Sequence, residues 1–195
     1  MLTFSFFLNS ILLGVGLAMD AFSVSLANGL NEPGMSKPRM LAIAGTFGIF
    51  QFLMPEIGWI CVHTVVKYFA QFEKFIPWIA LILLLYIGGK MLIEGLHGGE
   101  DTKSEQKTLG FAALMVQGVA TSIDALSVGF TIAEYNAIMA LLSSTLIGLV
   151  TIVICFGGLL IGKKFGTKLT GKAGILGGII LIAIGIEIFA KGVFF

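Results

Sequence analysis

Long apolar stretches separated by short polar breaks dominate the chain. The apolar stretches fall at roughly 4–30, 41–63, 75–96, 109–133, 137–161 and 173–194. A helix needs ~20 apolar residues to cross a bilayer, and each stretch meets or approaches that length. In lipid the backbone must satisfy its own hydrogen bonds, so the spans should be helices. The pattern therefore predicts an all-α membrane protein with six transmembrane helices. The longest polar break, "HGGEDTKSEQKT" at 97–108, lies near the midpoint and reads as a solvated linker.

Composition agrees with that picture. Of 195 residues, 57% are hydrophobic and only 12% charged, where soluble domains carry about 25% charged residues. A net charge of +1 gives no case for nucleic-acid binding. Cys61 and Cys155 lie inside apolar stretches without disulfide or metal-finger spacing and read as small buried hydrophobes. The N-terminal stretch lacks a basic leader and runs past signal-peptide length, so it reads as the first span. Lys37, Arg39, Lys103, Lys107, Lys163, Lys164, Lys168 and Lys172 follow the odd-numbered spans, against Lys67, Lys74 and Lys191 on the other side. That bias predicts odd connections in the cytoplasm and both termini outside. Small residues at four-residue spacing (Gly158, Gly162 and Gly166; Gly174 and Gly178) predict close helix packing.

Charge inside the spans is scarce, which makes Asp20 conspicuous in "GVGLAMDAFSVSLANG". It has a counterpart. "DAFSV" at Asp20 returns as "DALSV" at Asp124, in register at a separation of 104 residues. Weaker echoes pair Gly48 with Gly148, Gln51 with Thr151 and Gly58 with Gly158, and "IGGKMLIEG" with "IGIEIFAKG". A repeat of three spans must enter the membrane upside down the second time. The expectation is two inverted-topology three-helix repeats, 1–96 and 109–195, joined by a cytoplasmic linker at 97–108. A pseudo-two-fold axis would set Asp20 and Asp124 at matched depth on either side of the midplane. Carboxylates in lipid are costly, so both should face the interior and share a cation or a proton.

The neighbouring residues extend the site. Ser23 and Ala27 follow Asp20 on one helix face, with Gly16 a turn before; Ser127 and Thr131 follow Asp124, with Ala120 before. Asn28 adds a carbonyl oxygen toward the cytoplasmic mouth. Pro55 has no N–H, which frees the carbonyl of Gln51 and sets a backbone and a side-chain oxygen at one level; a kink relieved by a neighbouring helix explains Pro55 equally. Glu94 and Glu187 have Lys90 and Lys191 four residues away, and Glu187 is the deeper of the two. Glu56, His63 and His97 read as span-end residues, and Met54 as a gap filler. Carboxylates, amide oxygens and hydroxyls are hard donors that suit Mg, Ca or Mn. The reluctance of Mg²⁺ to dehydrate favours a larger ion such as Mn²⁺.

Taken together, "AMDAFSVS", "QFLMPEIGW", "GGKMLIEG", "ATSIDALSVG" and "GGIILIAIGIEI" resemble the MntP family of bacterial manganese efflux pumps over essentially the whole chain. The resemblance implies Mn²⁺ export across the bacterial inner membrane, with Asp20 and Asp124 as the functional acids. It also implies that some relatives carry an acid where this chain has Gln51, and Glu187 is the candidate for the missing charge. The expected function is secondary transport by alternating access. One half would rock against the other around a metal held by Asp20 and Asp124, aided by Gln51, Glu187, Ser23, Ser127, Asn28 and Glu94. Protons are the expected counter-ion, and Mn(II) is substrate rather than cofactor. No GxxxxGK[ST] loop occurs for an ATP-driven pump. An exporter of another cation or small solute on the same fold is the alternative, although an amino acid cargo would want a Lys or Arg at the aspartate level. An intramembrane aspartyl protease is less favoured, because "TSI" precedes Asp124 and no Gly-x-Gly-Asp pattern is present.

Overall fold

The computed structural model describes residues 4–64, 76–97, 109–166 and 173–194. Every regular element among them is helical: α1 (Phe4–Asn31), α2 (Lys37–Thr64), α3 (Ile76–His97), α4 (Phe111–Ala120), α5 (Ile123–Thr131), α6 (Ala137–Gly166) and α7 (Ala173–Phe194). Helix occupies most of each of the six expected stretches, the one at 109–133 in two pieces. Among the described residues, four stretches are long and apolar enough to cross a membrane: Phe4–Asn31, Lys37–His63, Phe111–Thr131 and Ala137–Gly166. A shorter apolar run, Ile175–Glu187, lies within α7. The linker at 97–108 falls almost wholly outside the described residues.

The chain is organised for lipid rather than water. Leu12, Ile49, Ile82, Ile138, Val153 and Ile179 are exposed, whereas Ser10, Asn28, Gln51, Gln117, Thr121, Ser143 and Thr151 are buried. An apolar exterior around a polar interior is what helix association in a bilayer requires, because polar groups there must find protein partners. Ser10 and Ser143 meet this way, with their hydroxyls 3.0 Å apart between α1 and α6. Local caps are ordinary. The Asn136 side-chain oxygen accepts from the Met139 amide at 2.9 Å and caps the start of α6.

Helices pair across the sequence halves. The longest interface joins α1 to α6; α2 lies against α6 and α5, and α3 lies along α7. The four-residue glycine spacing in α6 has the expected role. Gly158, Gly162 and Gly166 turn toward the backbone of α1 at Phe22, Leu26 and Leu30 respectively, leaving no room for a Cβ. Gly178 meets Gly88 in the same fashion between α7 and α3.

Two further approaches tie this packing to the repeat. A Cβ on Gly48 would lie 2.8 Å from the Gly148 carbonyl oxygen, and one on Gly148 would lie 2.8 Å from that of Gly48. So α2 and α6 cross where paired glycines touch. A Cβ on Gly158 would lie 2.9 Å from the Phe22 carbonyl oxygen, and one on Gly58 would collide with that of Leu126. Gly58 and Gly158 differ by the second-span offset of the repeat, and Phe22 and Leu126 by the first-span offset.

One expectation fails. The apolar stretch 109–133 is not one continuous helix; it breaks at Thr121–Ser122 into α4 and α5. Two successive hydroxyls bond back to carbonyls at the break, as single hydroxyls such as Thr46 and Thr151 do inside unbroken helices. Thr121 Oγ1 donates to the Gln117 carbonyl at 2.9 Å, and Ser122 Oγ donates to the Gly118 carbonyl at 2.7 Å. The Ser122 amide turns to the Val119 carbonyl, a tighter three-residue closure that ends α4.

Candidate functional site

Asp20 and Asp124 sit in equivalent sequence settings but different backbones. Asp20 lies within continuous α1 and is half-buried. Asp124 lies in the first turn of α5, where the Ala125 amide donates to its Oδ1 at 2.9 Å. A helix N-terminus carries partial positive charge, so α5 stabilises that carboxylate as α1 cannot. Asp124 is exposed in the isolated chain.

Gln51 connects the two helices. It is wholly buried on α2. Its Nε2 donates to the Leu17 carbonyl of α1 at 3.1 Å and to the Thr121 carbonyl at the α4–α5 break at 3.0 Å. Leu17 stands three residues before Asp20, and Thr121 three residues before Asp124. One amide nitrogen thus holds equivalent points of both repeats, using a carbonyl that the helix break leaves available. The two acceptors fix the amide's orientation, since its oxygen could not bond either carbonyl. Gln51 Oε1 is buried without a hydrogen-bond partner. A buried acceptor left orphaned at this position is a donor atom available to a cation.

The remaining expected residues divide. Ser23 Oγ donates to its own helix, to the Met19 carbonyl at 3.0 Å, and Ser127 is exposed on the Asp124 face. Asn28 is buried and bonded reciprocally to Gln117: its Nδ2 donates to Gln117 Oε1 at 2.8 Å, and Gln117 Nε2 donates to Asn28 Oδ1 at 3.3 Å. Glu187 is exposed on α7, and the side chain of Glu94 lies outside the described residues. Among the described residues no three His, Cys, Asp or Glu side chains cluster as a metal-holding group.

A groove of about 580 Å³ opens between α1 and the end of α5, lined by Leu13, Gly16 and Leu17 on one side and Thr131, Ile132 and Tyr135 on the other. Gly16 lies one turn from Asp20, and Thr131 two turns from Asp124, on the faces named from sequence. At the opposite end Arg39 straps the bundle. It pairs with Glu32 at 2.8 Å and donates to the Leu109 carbonyl at 2.9 Å. Lys163 donates to the Met35 carbonyl at 2.6 Å at that same end.

The sequence reading missed Gln117, Thr121 and Ser122. A signal existed: Gln117 is the lone amide in "FAALMVQGVATSID", and Thr121-Ser122 directly precedes the second aspartate.

Comparison with known proteins gives a consistent result. A family model described as "Putative manganese efflux pump" matches residues 34–189. The chain is 42% identical to the "Putative manganese efflux pump MntP" of Ruminiclostridium cellulolyticum, covering 95% of this chain and 96% of the relative. It is 43% identical to the protein of that name from Methanobrevibacter smithii, covering 91% and 94%. It is 41% identical to that from Methanosarcina mazei, covering 95% and 96%. No solved structure matches the chain.

Proposed function

The chain belongs to the MntP family, and on that premise we propose that it exports Mn²⁺ across the bacterial inner membrane as a secondary transporter. The metal is held between Asp20 and Asp124. The observation that carries this reading is the Gln51 amide, bonded to the carbonyls three residues ahead of each aspartate. It draws together the two backbones on which the acids stand and leaves its own oxygen unpartnered. Ser23 and Ser127 supply hydroxyls on the same faces as the acids. Glu187, and Glu94 at the helix end, are candidates for added negative charge. Hard oxygen donors and a charge of about two suit a divalent ion of this class.

The architecture we propose is six spans in two inverted repeats, 1–96 and 109–195, with both termini outside. The mutual approach of Gly48 and Gly148 supports it, as does the match of the Gly58–Leu126 approach to the Gly158–Phe22 approach. A two-fold operation that exchanges repeats would produce both. Discontinuous helices at mid-membrane are a recurring device for ion sites in such transporters, and the α4–α5 break fits that device.

Alternating access then needs two bodies and a cleft. Glycine contacts support α1 with α6 as one body, through Gly158, Gly162 and Gly166, and α2 with α4 and α5 as the other, through Gly58, Gly118 and Gly129; the longer α2–α6 interface then lies between the bodies. Each body draws helices from both halves, and the Gly48–Gly148 crossing is the pivot. Asp20 and Asp124 then lie on opposite walls of the cleft. Protons titrating the same carboxylates are the proposed counter-ion.

The test is uptake into inside-out vesicles, comparing Mn²⁺ with Mg²⁺, Ca²⁺, Fe²⁺ and Zn²⁺. Saturable Mn²⁺ accumulation driven by a proton gradient is expected. Accumulation of another ion in preference to Mn²⁺ would transfer the same site to that cargo, and none at all would refute transport.

A further inference from the structure

We propose that Asn28 and Gln117 form the cytoplasmic closure of the translocation path, a polar lock that parts in every transport cycle; this rests on the alternating-access reading above. Asn28 stands eight residues past Asp20, and Gln117 seven residues before Asp124. At 1.5 Å per residue both lie roughly 10–12 Å from the acids, on the side of the basic connections. Their reciprocal hydrogen bonds join α1 to α4, one from each proposed body, across the cleft that holds the acids. Gln117 is wholly buried and Asn28 is 4% exposed, so the hydrogen-bonded pair is shielded from solvent in this conformation. The Glu32–Arg39–Leu109 strap closes a second layer just beyond.

The repeat identifies the counterpart on the far side. Adding the repeat offset to Asn28 gives Ile132, and subtracting it from Gln117 gives Leu13. Both residues are among those lining the groove, Leu13 from α1 and Ile132, itself buried, from the end of α5. The same pair of positions is therefore hydrogen-bonded at one end of the cleft and borders the groove at the other. Exchange of the two repeats' conformations closes Leu13 on Ile132 and frees Asn28 from Gln117. The chemistry of the two closures differs. The inner one has directional hydrogen bonds in a low-dielectric setting, and the outer one has only apolar contact. Loss of the amide pair biases the protein toward the inward-open form, since only one of the two states makes those bonds.

A cross-link tests the lock. In a chain carrying Cys61→Ser and Cys155→Ala, the pair Asn28→Cys and Gln117→Cys is oxidised in inside-out vesicles and ⁵⁴Mn²⁺ uptake is followed. Oxidation should lower uptake at least tenfold, and dithiothreitol should restore it. As a control, Ser10→Cys with Ser143→Cys cross-links α1 to α6 within one body and should change uptake by less than twofold. Undiminished uptake by the oxidised 28–117 protein overturns the lock while leaving Mn²⁺ transport intact. A second measurement needs no transport. Leu13→Cys, labelled from outside by an impermeant maleimide, should react at least threefold more slowly when Gln117→Leu is added. An unchanged labelling rate overturns the lock as well.

Discussion

The segments around Asp20 and Asp124 share the Asp-Ala-x-Ser-Val signature yet fold differently. Around Asp20, α1 runs unbroken from Phe4 to Asn31; around Asp124, the chain breaks into α4 and α5. The residues just before each acid account for the contrast. Leu17-Ala18-Met19 carries no hydroxyl, whereas Thr121 and Ser122 set two successive hydroxyls on carbonyls, and the Gln51 amide takes the Thr121 carbonyl at the same point. The consequence is electrostatic: one acid gains a helix N-terminus and the other does not. A duplicated motif therefore preserves side-chain chemistry without preserving backbone, and the two acids are inequivalent in the resting structure.

The sharpest way to break this comparison is to remove each acid in turn. Asp20→Ala and Asp124→Ala should each reduce vesicle Mn²⁺ uptake to background while still inserting in the membrane. Wild-type uptake by either variant would take that residue out of the site. Gln51→Leu comes next. It strands the Thr121 carbonyl at the break, at about 1–3 kcal/mol for a buried unsatisfied group, removes the tie to Leu17, and should cut uptake at least tenfold with lower thermal stability in detergent. Retention of both uptake and stability would show that the amide tie is dispensable.

A smaller effect should come from the break itself. Thr121→Ala with Ser122→Ala removes the hydroxyls that compete for the Gln117 and Gly118 carbonyls, so α4 and α5 should fuse toward one helix. Circular dichroism should show a small helical gain, and uptake should fall several-fold as Asp124 loses its helix N-terminus. Full activity in a fused helix would mean the break is incidental. The smallest change is expected from Pro55→Ala, which restores a donor for the Gln51 carbonyl. A modest rise in apparent KM for Mn²⁺ would place that carbonyl at the site, and an unchanged KM would return Pro55 to packing.

Much of the fold is legible in the sequence because the bilayer imposes simple demands. Long apolar runs must be helices, and the glycine spacing in α6 foretells its close seat on α1. The paired aspartates are equally visible, since charge inside an apolar run has few innocent explanations. The α4–α5 break was harder to read. Thr121 and Ser122 are tolerated inside many helices, and what sets this pair apart includes a donor from another element, the Gln51 amide bonding the Thr121 carbonyl. Gln117 escaped notice because a lone amide has no meaning until its partner is known.

Apolar length, the repeat at a separation of 104 residues and the two acids follow from the order of amino acids alone, because hydrophobic transfer and ionic cost in lipid are local properties of each segment. Tertiary structure decided which helices pair, where the second acid-bearing span breaks, and that Asn28 joins Gln117 rather than standing open at a mouth. Those outcomes depend on hydrogen bonds between segments remote along the chain, whose partners are set only when packing brings them within reach.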